Sequence, residues 1–219
     1  MNRNELEEVF LSSQEVFHGK LINVEHWQVR LPNGQTALRE VVKHRGAAAI
    51  VPVDDQGNVT LVCQHRVAVG RFTWEIPAGK LDHTGEDMLA AAKRELEEET
   101  GLHAQNWQLL VDMDTTPGFC NEHIGIYLAT GLSQHHMHTD EDEFLNVDRV
   151  PLSEAVRRVM AGEIHDSKTI AGLMMAWNLL GRQSDMPLDS LASIQRGSTA
   201  FASQAVNVNE YLSQVGTNI

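Results

Sequence analysis

Four of the six residues from Glu95 to Thr100 are glutamates, and their spacing sets the chemistry they can do. The segment carries the marks of a helix. Leu89, Ala90, Ala91, Ala92 and Leu96 are good helix formers, and Gly101 stands where a C-terminal cap belongs. At about 100° per residue, Glu95, Glu98 and Glu99 share an arc of roughly 100°, while Glu97 points to the far side. Leu89, Ala92 and Leu96 occupy the adjoining arc and are expected to face the core. Carboxylates crowded beside a buried stripe repel one another unless positive charge sits among them. Lys93 and Arg94 could supply it on a solvated charged face. A hard divalent cation, Mg²⁺ or Mn²⁺, could supply it at a binding site, since such ions prefer oxygen ligands.

Such a helix needs a sheet behind it. From Glu15 to Lys43 apolar and polar residues alternate around the turn Pro32-Asn33-Gly34-Gln35, which predicts a three-stranded antiparallel meander. Residues 1–15 are expected to form a short polar helix or a frayed lead-in. Ala47 to Val53 and Val59 to Gln64 are apolar runs joined at Asp54-Asp55-Gln56-Gly57-Asn58, the pattern of a second hairpin. Trp74 to Ala78 reads as a short strand leading into the glutamate segment. Further strands are expected at Trp107–Met113, Ile124–Thr130 and Phe144–Val150. Helices are expected at Leu152–Ala161 and Asp166–Leu180, with Ser167 and Gly181 marking the ends of the second. Beyond Arg182 the composition turns polar, with a short helix expected around Val208 to Val215. The chain therefore divides into a meander (1–45), an α/β domain with a mixed sheet (46–182) and a polar extension (183–219), without internal repeats.

At 219 residues the chain can bury one sizeable core. A formal net charge of −13 speaks against a binder of nucleic-acid backbones, which would show a basic face. No apolar run is long enough to span a bilayer, and the residues from Met1 to Glu8 lack the apolar stretch of a signal peptide. Cys63 and Cys120 are too few for a disulfide framework and read as small buried hydrophobes. The expected location is the cytoplasm. His135, His136 and His138 lie near the acidic run Asp140 to Glu143 but lack further ligands of matching geometry, and are expected to be solvated.

The glutamate segment resembles the Nudix box: Gly, five residues, Glu, seven residues, then Arg-Glu-apolar-x-Glu-Glu-x-Gly-apolar. Gly79, Glu86, Arg94, Glu95, Leu96, Glu98, Glu99, Gly101 and Leu102 match it. One spacing departs. Six residues, Lys80 to Gly85, separate Gly79 from Glu86, and the extra one falls in a loop, where insertions are best tolerated. By helical phase Glu86 lies roughly opposite Glu95 and is expected to favour the positive end of the helix. Other segments are similar to the ADP-ribose pyrophosphatase branch of the Nudix hydrolases: Arg39 to His44, Gln64-His65-Arg66, Trp74 to Leu81, Thr116 to Glu122, Asp140 to Phe144, and Gly162 to Ile170. Together they span about residues 15 to 180.

The resemblance implies an α/β/α sandwich of the Nudix type and a reaction, hydrolysis of a nucleoside diphosphate linked to another group. It also implies roles. The Ala78 carbonyl with Glu95, Glu98 and Glu99 would hold Mg²⁺ (or Mn²⁺), which would polarise the pyrophosphate and help deprotonate a water. A carboxylate of the acidic loop, Glu143 with Glu141 as runner-up, would orient that water or take its proton, beside the box residue Glu98. Arg94 would pair with the box carboxylates. Arg66 and Arg39 would contact phosphate bidentately, and Glu122 would hold the distal ribose. Trp27 would stack on adenine, or else is a half-buried sheet tryptophan. The meander would lie across a partner subunit, making a homodimer in which Trp27 and Arg39 complete the neighbour's site. Three functions stay open: cleavage of ADP-ribose to AMP and ribose 5-phosphate; cleavage of another nucleotide sugar such as GDP-mannose; and non-catalytic nucleotide sensing. Retention of Glu95, Glu98 and Glu99, and the want of a basic patch, speak against the last.

Overall fold

A computed structural model of the chain describes residues 5–83, 85–135 and 144–181. Glu141, Glu143, His136, His138 and the extension 183–219 lie outside the described residues. Ten strands and three helices follow in order: β1 (Val9–His18), β2 (Asn23–Arg30), β3 (Thr36–Lys43), β4 (Ala47–Pro52), β5 (Asn58–Arg66), β6 (Arg71–Glu75), β7 (Ala78–Lys80), α1 (Met88–Thr100), β8 (Leu102–Asp114), β9 (His123–Gln134), β10 (Leu145–Pro151), α2 (Leu152–Met160) and α3 (Ser167–Leu180).

Strand β4 organises the domain because it is buried at every position. Successive side chains of a strand point to opposite faces, so an uninterrupted apolar run belongs in a sheet covered on both sides. Ala47, Ala49 and Val51 pack with Leu61 of β5, Ile126 of β9 and Leu173 of α3. Ala48 and Ile50 face the other way, onto Ala91, Ala92 and Leu96 of α1. The four-stranded sheet has the order β7-β4-β9-β8, with β4 parallel to β9 and antiparallel to β7. Helix α1 covers one face, and α2 and α3 cover the other. The result is the α/β/α sandwich with a mixed sheet. A second sheet, β10-β5-β6, is antiparallel throughout.

Several expectations need correction. The lead-in is a strand from Val9 onward, paired to β2. The run Asp54–Asn58 does not close a hairpin within one sheet. β4 already has β7 and β9 on its two edges, so β5 leaves for the second sheet after a single bridge, Val53 to Val59. The run Trp74–Ala78 is two strands, because Pro77 has no N–H to continue a ladder; β6 pairs with β5, and β7 with β4. On α1 the core stripe is Met88, Ala91, Ala92 and Leu96, and Leu89 takes no part in that cluster. Helix α2 stops at Met160. Helix α3 begins at Ser167 and is followed by Gly181, as expected, and Asp166 caps it by accepting the Thr169 N–H at 2.9 Å. Cys63 and Cys120 are free thiols, half-buried.

The N-terminal strands form their own antiparallel sheet, β1-β2-β3. It joins the domain where Val42 N–H donates to the Phe119 carbonyl at 2.8 Å and His44 N–H donates to Asn121 Oδ1 at 2.7 Å. Every residue of β1 is exposed. No described helix is long and apolar enough to cross a membrane.

Candidate active site

Helix α1 is held at both ends. Asp87 Oδ1 accepts the Ala90 N–H at 2.8 Å, and Gly101, at φ 66°, adopts the left-handed conformation that lets its N–H close on the Glu97 carbonyl. Between these caps Glu95 and Glu99 are buried. Glu97 turns away and pairs with His103 at 3.1 Å.

Burying two carboxylates is costly unless each is paired. Arg94 supplies most of the pairing. Its Nη1 donates to Glu95 Oε1 at 2.6 Å and to Glu98 Oε2 at 3.1 Å, and its Nη2 donates to the Lys80 carbonyl at 3.2 Å. Asp82 and Glu86 lie 3.6 and 3.7 Å from the same guanidinium. Burial would lower the Arg94 pKa, but the surrounding carboxylates, Glu95 first, raise it. Glu99 Oε2 accepts the Ala78 N–H at 3.0 Å. Glu86 does not serve the helix terminus, which Asp87 already caps. It accepts the Asp82 N–H at 2.6 Å and so ties the lengthened loop back to Arg94. A full guanidinium charge outcompetes the half charge of a helix end.

Gly79 is required by proximity. A Cβ built there would lie 2.0 Å from Glu95 Cδ, so the carboxylate rests directly on the glycine backbone. Glu95 and Glu98, with Gly79 and Arg94, line a cavity of about 600 Å³, to which His44, Arg45 and Arg66 also contribute. Phe144, the first described residue after the acidic run Asp140 to Glu143, lines it too and is 85% exposed.

Arg66 is held from behind. Its Nε and Nη2 each donate at 2.8 Å to the two oxygens of Glu75. Burial alone would raise the Glu75 carboxyl, but hydrogen bonds from Arg66 and the charge of Lys168 hold it down at about 2. Glu122 stands beside the cavity residue His44, its Oε1 3.3 Å from Nδ1, while its Oε2 accepts the Thr115 hydroxyl at 2.9 Å. Trp27 and Arg39 are cross-strand partners in the N-terminal sheet. Trp27 packs edge-on against Phe10 at 5.1 Å, and Arg39 donates through Nη2 to Glu8 at 2.6 Å. Neither lines the cavity of its own chain. Ala78, Glu95, Glu98, Glu99, Arg66 and Glu122 are thus gathered in one region; Trp27 and Arg39 are apart from it.

Sequence reasoning assigned no role to Arg45, Glu75 or Lys168. Arg45 Nη1 donates to the Asp82 carbonyl at 2.6 Å and pins the same loop. Lys168 offered a signal: it lies on the phase of Gly172, Leu173 and Ala176, the buried side of an apolar helix.

The donor set fits a hard divalent cation: Glu95, Glu98 and Glu99 are oxygen ligands beside a glycine that leaves room for a carboxylate. Among the described residues no three acidic or imidazole side chains already stand at ligand spacing, because Arg94 and the Ala78 N–H hold these acids instead.

Comparison with known proteins agrees with this geometry. The NUDIX domain model matches residues 43–172. An ADP-ribose pyrophosphatase of Mycobacterium tuberculosis is 44% identical over 187 residues, covering 82% of this chain and 88% of that protein. An ADP-ribose pyrophosphatase of Bacillus subtilis is 42% identical over 166 residues, covering 75% and 89%. The crystal structure of an ADP compounds hydrolase superposes with a TM-score of 0.71 at 24% identity, over 83% of this chain and 98% of that one, a likeness of fold. The chain belongs to the Nudix hydrolase family.

Replacing Gly79 with alanine tests the packing of the site. The methyl group must displace the Glu95 carboxylate, so turnover should fall about a hundredfold, as misplacement of a reacting group by about 1 Å can cause. Steady-state rates beside a thermal melt would show it; unchanged turnover would mean that Glu95 does not depend on this contact.

Proposed function

We propose that this hydrolase adds water across the pyrophosphate of ADP-ribose, giving AMP and ribose 5-phosphate. One observation carries the proposal: the acidic face of α1 and the guanidinium of Arg66 line the same cavity, whose volume lies in the range of small-molecule sites. The adenine and ribose parts of the assignment draw on the two bacterial relatives.

Ala78 (through its carbonyl), Glu95, Glu98 and Glu99 would hold Mg²⁺, with Mn²⁺ as the alternative. Bound there, the cation supplies charge neutralisation on the diphosphate and acidity to a nearby water. Arg66 uses two N–H groups on Glu75 and turns its remaining edge to a phosphate oxygen. Glu143, or Glu141 of the same loop, takes the proton of the attacking water. Glu98, more exposed than Glu95 or Glu99, is the cluster member open to that water. Oxygen of the water bonds to phosphorus as the bridging P–O bond breaks. Glu122, beside His44, receives the distal ribose.

Trp27 and Arg39 act in a homodimer. The N-terminal sheet crosses to a partner subunit, where Trp27 stacks on adenine and Arg39 meets phosphate. Support comes from β1, an edge strand that exposes Phe10 and Phe17 by 52% and 54%, apolar surface that a second copy would cover.

Incubating the purified protein with Mg²⁺ and a panel of nucleoside diphosphate derivatives tests the substrate. AMP should appear from ADP-ribose well ahead of cleavage of GDP-mannose or nucleoside triphosphates; preference for GDP-mannose would move the assignment to that sugar nucleotide. Glu143→Gln should slow turnover about 100- to 10,000-fold with little change in substrate affinity, and near-normal turnover would remove Glu143 from the chemistry. Sedimentation should return a dimer, and a fully active monomer would refute the shared site.

A further inference from the structure

Glu75 is 3% exposed in its side chain, and four donors fill its carboxylate. Oε1 accepts from Arg66 Nε at 2.8 Å and from the Thr73 hydroxyl at 2.6 Å. Oε2 accepts from Arg66 Nη2 at 2.8 Å and from Lys168 Nζ at 2.5 Å. Lys168 reaches this point from 93 residues further along the chain, its side chain 11% exposed. Its ammonium also lies 3.0 Å from Asp166 Oδ1, the cap of α3. Four charges therefore alternate in a row, Arg66, Glu75, Lys168 and Asp166. The positive end lines the cavity; the negative end rests on a helix N-terminus, which favours it.

We propose that Lys168 is a positioning residue that orients Arg66 for phosphate contact through the carboxylate they share. The inference rests on Arg66 being a phosphate ligand of the hydrolysis described above. Two features distinguish this role from simple attachment of α3. First, α3 is already fastened: Thr169 Oγ1 accepts the Ile76 N–H at 2.9 Å, and Leu173 and Ala176 are buried in the core. Packing alone would be served as well by an apolar side chain, since a buried ion pair seldom adds net stability over one. Second, without Lys168 the Arg66–Glu75 pair is neutral and one lone pair of Oε2 is open. The carboxylate is then held from the Arg66 and Thr73 side alone, and the row of four charges, neutral with Lys168, turns net negative behind the guanidinium that a phosphate would meet. With the ammonium in place, Glu75 is balanced from behind. The part of the guanidinium turned away from Glu75, Nη1 and the second N–H of Nη2, keeps its direction and its charge.

A double-mutant cycle on the full chain tests this. Lys168→Met should raise KM for ADP-ribose about tenfold, the scale of one charge-assisted hydrogen bond, with kcat nearly unchanged. Arg66→Ala should raise KM at least as much, and adding Lys168→Met to it should change nothing further, because Lys168 acts only through Arg66. Lys168→Arg, which keeps the charge, should recover most of the affinity. Additive losses in the double variant, or a normal KM in Lys168→Met, would overturn the proposal. If Lys168→Met fails to fold, Lys168→Gln, which keeps a hydrogen-bond donor and drops the charge, alone and combined with Arg66→Ala gives the same comparison. Absence of ADP-ribose turnover by the unaltered enzyme would instead fail the substrate assignment; calorimetric binding of ADP with Mg²⁺ across the same variants would then decide the role of Lys168, by the same criterion of additivity.

Discussion

Two carboxylates buried in one helix, Glu95 and Glu99, impose the conditions that the rest of this site satisfies. Each ion must be compensated on the spot, since the protein interior solvates it poorly. Glu99 uses the Ala78 N–H, and Glu95 uses Arg94. Arg94 in turn gathers Glu98, Glu86, Asp82 and the Lys80 carbonyl. A guanidinium suits this place because its five N–H groups lie in one plane and reach several acceptors at once; a lysine would act as a single point of charge. The extra loop residue is absorbed within the same network, through Glu86 and the Asp82 N–H, so the box helix keeps its register despite the insertion.

The sheets explain why these groups meet. Between Glu75 and Ala78 the chain passes from the second sheet to the edge of the first, with Pro77 at the crossing. Ala78 and Gly79 therefore arrive beside β4 under the acidic face of α1, while Glu75, just upstream, stays with β5 and its terminal Arg66. One short crossing thus delivers the support for Glu99, the floor beneath Glu95 and the anchor of Arg66. Helix α3 locks it from the far side through Thr169 and Ile76. The cavity is a consequence of two sheets parting at this point.

The box was legible because helical phase and carboxylate chemistry constrain each other. The prediction that Glu97 points away from the arc shared by Glu95, Glu98 and Glu99 needed only the period of the helix, and β4 was equally plain from its apolar run. What escaped depended on partners distant in sequence. Whether β5 pairs with β4 turns on which strands already hold the edges of β4, and alternation says nothing about edges. The first part of β1, before Glu15, was missed because the polar residues Ser12 to Glu15 hide its period. Lys168 and Glu75 meet across 93 residues, and neither has a local pattern that announces the other. Trp27 and Arg39 lie in a sheet apart from the cavity, and strand alternation gives no sign of that separation.

Formal charges show why an acidic protein can still receive an anion here. Glu95, Glu98 and Glu99, with Asp82 and Glu86 beside the same Arg94, leave this wall of the cavity net negative, a charge that a divalent cation would offset. Arg94 keeps the acids in place without fully neutralising them, so the helix is stable by itself yet remains attractive to a cation. The other wall has the opposite problem, an arginine whose charge its own anchor would cancel, and Lys168 offsets that anchor from behind. On the proposed function, a diphosphate entering the cavity would meet an acidic, cation-accepting face and a guanidinium whose orientations are both set in advance by buried partners. Preorganisation of this kind lowers the barrier because the groups need not rearrange as charge develops on the bridging oxygen.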